Sequence, residues 1–334
     1  MLARSLRIAS SSLLNQYKFR KFILLFTRNV QISVIGAASE IGSNVALFLK
    51  LNCKVNNLQL YDDDDKVKGV GMELAHIPGG PQVSAFAGCR NLGPSLQGSH
   101  IILMTTRTAR KPGRTREEMM ADNALAVQYL CRAMVNNNPH AFLAISTNPI
   151  NCMIPFASAL LCKYNSYNPC KVLGITHIDM ARSRALVSDT LRVNPRDISI
   201  PVIGGHSDET IIPLFSNIHP SCHSVNPCHA DTLTRLLRKA GTEVILQKKG
   251  SDAATLAVAW SIHEFVDGLI DSVYGHERVL NCFTVNPHFG TRFFSGPTSI
   301  GRNGIIHTCY DFPMTDYESY LLNASVLLSL VGLQ

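Results

Sequence analysis

From residue 30 onward, short runs of β-branched and aliphatic residues alternate with longer stretches that have the apolar periodicity of helices. The pattern predicts strands over residues 30–35, 58–61, 83–86, 101–104, 141–145 and 171–174. It also predicts a helix over residues 40–50 and a long helix from Thr115 to the residues before Pro139. Such an alternation is typical of an α/β protein with a Rossmann-type, doubly wound parallel sheet.

After residue 174 the pattern changes, so we place a domain boundary there. Helices are predicted over residues 179–191, 231–247, 253–273 and 317–330, with a strand over residues 198–203. The hypothesis is therefore a Rossmann domain over residues 29–174 and an α+β domain over residues 175–334. A composition of 46% hydrophobic and 16% charged residues excludes disordered and fibrous classes.

Positive charge is concentrated at the start of the chain. The first 28 residues carry six basic side chains and no acidic one, so the remainder holds only +1 of the total charge of +7. This distribution argues against nucleic-acid binding, and no apolar run approaches the roughly 20 residues of a membrane helix. A serine-rich basic leader indicates a mitochondrial transit peptide over residues 1–28 and a matrix location, with a disordered basic tail as the alternative.

Ten cysteines without a CxxC pair indicate scattered buried thiols in a reducing compartment rather than a disulfide framework. One segment concentrates five metal-ligand side chains, namely His219, Cys222, His223, Cys228 and His229. Their spacing matches no standard zinc pattern, and the neighbouring prolines and polar residues indicate a surface loop. We therefore favour an incidental cluster without a metal and keep a metal site as the alternative.

A glycine-containing turn follows the first strand and opens the first helix, where backbone N–H groups can bind a pyrophosphate. Gly36 can form the tight turn and Gly42 can allow close packing, but Ser39 replaces the middle glycine of the GxGxxG fingerprint. By itself, this turn would fit an ordinary strand-to-helix connection as well as it fits a pyrophosphate site. Asp62 ends the second strand 20 residues after Gly42, where a carboxylate would accept the ribose hydroxyls of NAD and repel the extra phosphate of NADP.

Three other groups of residues could carry chemistry. Residues 110–116 form a loop with four cationic side chains at the carboxyl edge of the predicted sheet, suited either to a small dianion or to solvent. Asp179 and Arg182 lie three apart on one helical face, as in many surface pairs. His206 follows a buried strand and two glycines, where either a catalytic base or an ordinary loop histidine would fit.

The motifs together resemble those of the lactate/malate dehydrogenase family, the mitochondrial malate dehydrogenases in particular, from about Val30 to about Ile306. The motifs are Arg-Lys-Pro-Gly from Arg110, Thr-Asn-Pro-Ile-Asn from Thr147, Asp-Met-Ala-Arg from Asp179, Pro-Val-Ile-Gly-Gly-His ending at His206, and Ala-Gly-Thr-Glu-Val from Ala240. Their order along the chain is that of the family.

The resemblance implies reversible oxidation of malate to oxaloacetate with NAD, in a homodimer. It implies that His206 is the general acid and base and that Asp179 orients it and stabilises its imidazolium form. It implies substrate contacts from five residues, which are Arg110, Arg116, Asn123, Asn148 and Arg182. Of these, Arg110 would bind the distal carboxylate. The cofactor contacts implied are Gly36, Ala37, Ala38, Ser39, Ile41, Gly42, Asp62, Asn123 and Asn148.

Several residues depart from the family pattern. They are Ser39, Glu40, Arg107, the pair Asp208 and Glu209 just after the catalytic histidine, and Ala253. The C-terminal helix is also expected to be shorter than usual. These departures motivate the alternative hypothesis of a paralogue that has weakened catalysis and a structural or binding role.

Overall fold

The computed structural model describes residues 29–106, 116–249 and 254–330. Within these ranges it contains eleven strands and nine α-helices. The strands are β1 Gln31–Ile35, β2 Asn57–Asp62, β3 Gln82–Ala87, β4 Ile101–Met104, β5 Phe142–Ile145, β6 Val172–Ile175, β7 Val202–Gly204, β8 Ile211–Pro213, β9 Arg278–Val285, β10 Phe293–Gly301 and β11 Gly304–Thr308. The helices are α1 Glu40–Lys50, α2 Lys66–Ala75, α3 Leu92–Leu96, α4 Arg116–Asn137, α5 Ile150–Lys163, α6 His177–Leu191, α7 Pro227–Gln247, α8 Leu256–Val273 and α9 Asp316–Leu330.

Six parallel strands form the first half of the sheet, in the order β3-β2-β1-β4-β5-β6. Residues of β4 alternate between its two faces. Ile101 and Leu103 pack in one apolar cluster with α1 and α8, whereas Ile102 and Met104 pack in a second cluster with α4 and α5. Both faces are therefore buried beneath helices, which confirms the doubly wound α/β fold.

The second half of the chain continues the same sheet. Strand β9 pairs antiparallel with β6, and β10, β7 and β8 follow in that order, with β11 pairing at the side of β10. Helix α8 packs on the first half, because Phe265 and Leu269 belong to the same apolar cluster as Val45 of α1. Helix α8 therefore covers one face of the parallel strands.

The prediction of a strand over residues 198–203 is corrected by the structure. Only its end forms β7, and residues 198–200 connect to the rest of the molecule through an isolated bridge between Ser199 and His219. Ile198 and Ile200 are fully buried nonetheless. The β-branched residues therefore reflect burial. Within the described part of the chain, the segment makes only separate backbone contacts, from Ser199 to His219 and from the Leu214 amide to the Pro201 carbonyl oxygen, and these do not join into a ladder.

The surface loop predicted over residues 219–229 is also corrected, because α7 begins at Pro227, before the predicted start at residue 231. Cys228 and His229 thus lie in its first turn, where the Asn226 side chain accepts a hydrogen bond from the Cys228 amide. Among the described residues no group of three His, Cys, Asp or Glu side chains is placed to hold a metal ion. Of the helices described, none is long and apolar enough to cross a membrane.

Candidate active site

The structure brings His206 and Asp179 together. His206 follows β7, Asp179 lies in the first turn of α6, and His206 Nδ1 is 2.6 Å from Asp179 Oδ2. A carboxylate can only accept, so the proton lies on Nδ1 and Nε2 is left as the acceptor. The Asp179 side chain is 2% exposed and that of His206 is 15% exposed. The ring can therefore take up a proton beside a buried counter-charge.

The backbone around His206 is held by close contacts. Gly204 has φ +108°, and a Cβ there would lie 2.0 Å from the Thr210 carbonyl oxygen, so only glycine fits. The His206 amide donates a hydrogen bond of 2.9 Å to Asn151 Oδ1 from the start of α5. Asn151 is the last residue of the motif that begins at Thr147, and the sequence alone assigns it no role. Its contact identifies it as a positioning residue for His206.

Arg182 lies one turn after Asp179 on α6. The side chain is half-buried, and a Cβ on Gly241 of α7 would lie 3.5 Å from Arg182 Nη2, so the two helices enclose the guanidinium. Burial lowers the pKa of Arg182, whereas the negative charges of Asp179 and Asp208 act in the opposite direction. A guanidinium enclosed in this way can receive a substrate carboxylate in a two-point contact.

Two asparagines meet at the carboxyl end of β5. The Asn123 side chain of α4 is buried, and its Nδ2 donates a hydrogen bond of 2.6 Å to the carbonyl oxygen of Asn148. The neighbouring Thr147 hydroxyl donates to the Thr106 carbonyl oxygen at 2.7 Å, joining the ends of β5 and β4. The structure therefore brings together the two asparagines that the sequence assigned to substrate and cofactor.

The glycine-containing turn packs α1 tightly against β1. A Cβ on Gly42 would lie 2.1 Å from the Gly36 carbonyl oxygen, and a Cβ on Gly36 would lie 2.6 Å from the Thr106 backbone. Ser39 is the N-cap of α1, because its hydroxyl accepts a hydrogen bond from the Gly42 amide at 3.1 Å. The serine that replaces the middle glycine thus stabilises the helix start.

The same turn fits a dinucleotide. The amides of Glu40 and Ile41 are the first two of α1 and have no acceptor within the helix, so they can face a pyrophosphate. Asp62, at the end of β2, accepts hydrogen bonds from the amides of Ala38 at 2.9 Å and Asp64 at 3.2 Å. An ionised carboxylate offers about four acceptor positions, which leaves Asp62 able to accept ribose hydroxyls as well.

Glu40 has a partner that the sequence did not predict. Its carboxylate accepts a hydrogen bond of 2.9 Å from the Thr255 hydroxyl, which in turn lies 3.4 Å from Lys248 Nζ. This chain of contacts connects the start of α1 to residues on both sides of the gap between α7 and α8. Because the contact spans 215 positions of sequence, no local pattern could have revealed it.

Part of the sequence-based prediction concerns residues whose side chains the structure does not describe. Arg107, Arg110 and Ala253 fall outside the described residues, and Arg116 is described only as the first residue of α4. Their assigned roles remain predictions. The described part of the site contains the dyad, one enclosed arginine, the two asparagines and the cofactor turn.

Comparisons with known proteins agree with this geometry. The family model "lactate/malate dehydrogenase, NAD binding domain" matches residues 30–174, and that of the "alpha/beta C-terminal domain" matches residues 176–328, beyond the expected end near Ile306. Mitochondrial malate dehydrogenase of Sus scrofa is 35% identical over 287 residues, which are 86% of this chain and 84% of that protein. Peroxisomal malate dehydrogenase 2 of Arabidopsis thaliana is 32% identical, over 86% of this chain and 81% of that protein.

A solved structure shares the fold. The apo malate dehydrogenase of Picrophilus torridus superimposes with a TM-score of 0.79 at 24% identity, covering 90% of this chain and 95% of that one. The family matches span both halves of the sheet, and the cofactor turn and Asp62 lie within the NAD-binding part. The chain therefore belongs to the lactate/malate dehydrogenase family, and it is an NAD-dependent oxidoreductase.

Proposed function

We propose that the protein catalyses the reversible oxidation of malate to oxaloacetate with NAD. The observation that carries the proposal is the 2.6 Å contact between His206 and the buried Asp179. Asp179 follows the carboxyl end of β6, and the cofactor turn follows that of β1 in the same parallel sheet. A histidine paired in this way is suited to remove the proton of a secondary alcohol.

His206 moves the proton in this reaction. Nε2 accepts the hydroxyl proton of malate, and Asp179 stabilises the imidazolium that forms, since its Oδ2 keeps the hydrogen bond from Nδ1. When bound, NAD would accept the hydride that leaves the carbon atom bearing this hydroxyl group. In the reverse direction the imidazolium returns its proton to the carbonyl oxygen of oxaloacetate. Asn151 keeps the imidazole in place through the His206 amide.

The substrate is held by arginines. Arg182 binds the carboxylate next to the reacting carbon, and Arg116 stabilises the negative charge that develops on the substrate oxygen. Arg110 binds the distal carboxylate, which malate has and lactate lacks. Arg110 therefore supports malate as the substrate, in line with the names of the relatives in Sus scrofa and Arabidopsis thaliana.

Steady-state assays test the activity and the substrate together. The purified protein should oxidise NADH with oxaloacetate far more efficiently than with pyruvate. Arg110→Gln removes a charge-assisted contact of about 1.5–3 kcal/mol, so kcat/KM for oxaloacetate should fall by about one to two decades while pyruvate gains relatively. Lys163→Gln, which removes a cation from the end of α5, is the control. Folded protein without turnover would refute the activity, and equal losses for both substrates would refute the role of Arg110.

Glu40 and Asp208 support a second candidate, a paralogue with weakened catalysis and a structural or binding role. Glu40 places a carboxylate in the first turn of α1, where the pyrophosphate is expected, and Asp208 places a second one near Arg182. Fluorescence titration with NADH separates the candidates. Saturation well below 1 mM is expected for the enzyme, on the scale of ordinary cofactor affinities, whereas the weakened paralogue would give no fluorescence change at millimolar NADH.

Location and assembly complete the proposal. Residues 1–28 direct the protein to the mitochondrial matrix, residues 29–174 form the NAD-binding domain, residues 175–334 form the substrate domain, and two copies form a homodimer. The leader and the mitochondrial relative support the location. A fluorescent fusion at the C-terminus should enter mitochondria and should fail to do so without residues 1–28, whereas peroxisomal fluorescence would refute the mitochondrial location.

Light scattering of the purified protein should give twice the mass of 36.6 kDa or somewhat less after leader removal, and a monomer mass would refute the dimer.

A further inference from the structure

A cleft separate from the proposed active site lies at the amino ends of the parallel strands. Its volume is about 770 Å³, within the range of metabolite-binding cavities. One wall consists of the residues just before β1, β4, β5 and β6, namely Asn29, Val30, Ser99, His100, His140, Ala141 and Lys171. The other wall is formed by the end of α8, His276 and the turn between β10 and β11 at Arg302. We call this cavity the amino-edge cleft.

Hydrogen-bond donors and positive charge dominate the amino-edge cleft. Its lining contains three cationic residues, Lys54, Lys171 and Arg302, three histidines and a single carboxylate, Asp271. That carboxylate is already neutralised, because Lys54 lies 2.9 Å and Arg278 lies 2.7 Å from its oxygens. Lys54 is occupied in the same network by Asp267 at 2.8 Å. The other two cations of the lining are Lys171 and Arg302. Their positive charges determine the sign of the charge that the cleft attracts.

Lys171 lines the cleft and has no counter-charge among the described residues. Its Nζ donates a hydrogen bond of 2.6 Å to the His140 carbonyl oxygen and lies 5.2 Å from the centre of the Phe142 ring. No carboxylate of the described residues forms an ion pair with it. Burial lowers the pKa of the Lys171 ammonium. An anion bound here would offset that desolvation.

Arg302, on the other wall of the cleft, and His100, on the same wall as Lys171, supply further donors. Nδ1 of His100 accepts a hydrogen bond from the Gln31 amide at 3.3 Å, which leaves Nε2 to carry the proton and donate. Burial, followed by the charge of Arg302, lowers the pKa of His100, so the guanidinium lies near this ring. Arg302 itself has no ion-pair partner among the described residues. Guanidinium and ammonium groups around a cleft of this size are suited to an anion with several acceptor oxygens.

We propose that the amino-edge cleft binds a compact organic anion with at least two negative charges, either a phosphate ester or a polycarboxylate. The site is separate from the cofactor turn and from the His206 dyad, because the turn follows the carboxyl end of β1 and Asp179 follows that of β6, whereas the cleft lies at the amino ends of these strands. The proposal does not depend on which 2-hydroxy acid the enzyme oxidises.

Calorimetric titration of the full chain, saturated with NADH, tests the proposal with two probes, inorganic pyrophosphate and propane-1,2,3-tricarboxylate. At least one probe should bind, and the double variant Lys171→Met/Arg302→Gln should weaken its binding about tenfold or more. The charge-matched control is Lys163→Met/Arg196→Gln, whose exposed cations lie outside the cleft lining. The control should bind the probe like the unaltered protein, and both doubles should retain the NADH affinity.

The two probes distinguish the ligand classes. Binding of pyrophosphate alone identifies a phosphate-ester site, and binding of the tricarboxylate alone identifies a polycarboxylate site. Binding of both identifies a site that recognises negative charge and does not distinguish phosphate from carboxylate. The proposal is overturned if neither probe binds, if the folded cleft double binds the probe as the unaltered protein does, or if the control double weakens binding as much as the cleft double does. Should the cleft double lose its fold, the single variant Arg302→Gln decides, since Arg302 is an exposed turn residue whose replacement leaves the core intact. Unchanged probe affinity in that variant would refute the proposal.

Discussion

At the scale of single residues, proton transfer depends on one imidazole. His206→Asn removes the group that accepts the hydroxyl proton while leaving the cofactor turn untouched, so we expect kcat to fall by at least about 10²-fold. The dissociation constant for NADH should change far less. Stopped-flow turnover and fluorescence titration measure the two quantities separately. Near-normal turnover would show that His206 is not the proton carrier, and a parallel loss of NADH binding would indicate a general structural defect.

Asp208 allows a second prediction at this scale. Its carboxylate acts on the guanidinium of Arg182 and therefore competes with the substrate carboxylate for the same charge. Because Asp208 is exposed, the interaction is worth at most about 1 kcal/mol, so Asp208→Asn should lower KM for oxaloacetate by up to about fivefold with little change in kcat. The effect should shrink at high salt. Asp189→Asn, also exposed on α6, is the control, and an unchanged or raised KM for Asp208→Asn would contradict the argument.

At the scale of elements, the close packing of α1 on β1 shapes the cofactor turn. Gly42→Ala would place a Cβ 2.1 Å from the Gly36 carbonyl oxygen, which is backbone and cannot rotate away. We expect a loss of about 1–3 kcal/mol in the free energy of unfolding and weaker NADH binding, since the turn must open. Gly69→Ala in α2 is the matched control, because nothing lies within 4 Å of its Cβ position. That control should be neutral or stabilising by up to about 1 kcal/mol, and equal behaviour of the two variants in urea unfolding would contradict the packing argument.

At the scale of the whole molecule, Glu264 connects α8 to α6 and gives the stability a pH dependence. Its carboxylate accepts hydrogen bonds from Arg184 Nη2 at 2.7 Å and from His177 Nε2 at 2.9 Å. Although burial acts to raise the pKa of Glu264, these two partners outweigh it and lower the pKa to about 2 from its ordinary value of 4.5. The stabilisation is therefore complete above about pH 4.5 and is lost as the pH falls toward about 2.

Urea unfolding of Glu264→Gln tests this pH dependence. We expect a deficit of about 1 kcal/mol at pH 7, reduced from the full value of a buried pair because a third of the side chain meets solvent. The deficit should persist at pH 5 and shrink between pH 4.5 and pH 3. Glu243→Gln, on the exposed side of α7, is the control and should show no such deficit. A deficit that stays constant down to pH 3 would show that ionisation of Glu264 does not stabilise the fold.

Much of the fold follows from local sequence. The predicted helix over residues 40–50 and the strand over residues 101–104 have the same bounds in the structure, because both depend on short-range signals: an N-cap, a helical apolar face and a fully buried aliphatic run. Helices α2, α3 and α5 and strands β8 to β11 were not predicted. The strand over residues 198–203 was mostly wrong, since a strand needs a ladder partner and burial alone does not supply one.

The sequence by itself determined the alternation of strands and helices in the first half of the chain, the family and the cofactor, because each of these depends on residue types at short spacings. It also supplied the candidate reactive side chains. The family resemblance implied the pairing of Asp179 with His206, and the tertiary structure supplied its geometry and the contacts that no motif implied. Asp179 and His206 are 27 residues apart, Asn151 and His206 are 55 apart, and Glu40 and Thr255 are 215 apart. The amino-edge cleft likewise gathers residues from Asn29 to Asn303. Contacts at such separations arise only when the sheet brings the strand ends together, so no local pattern encodes them.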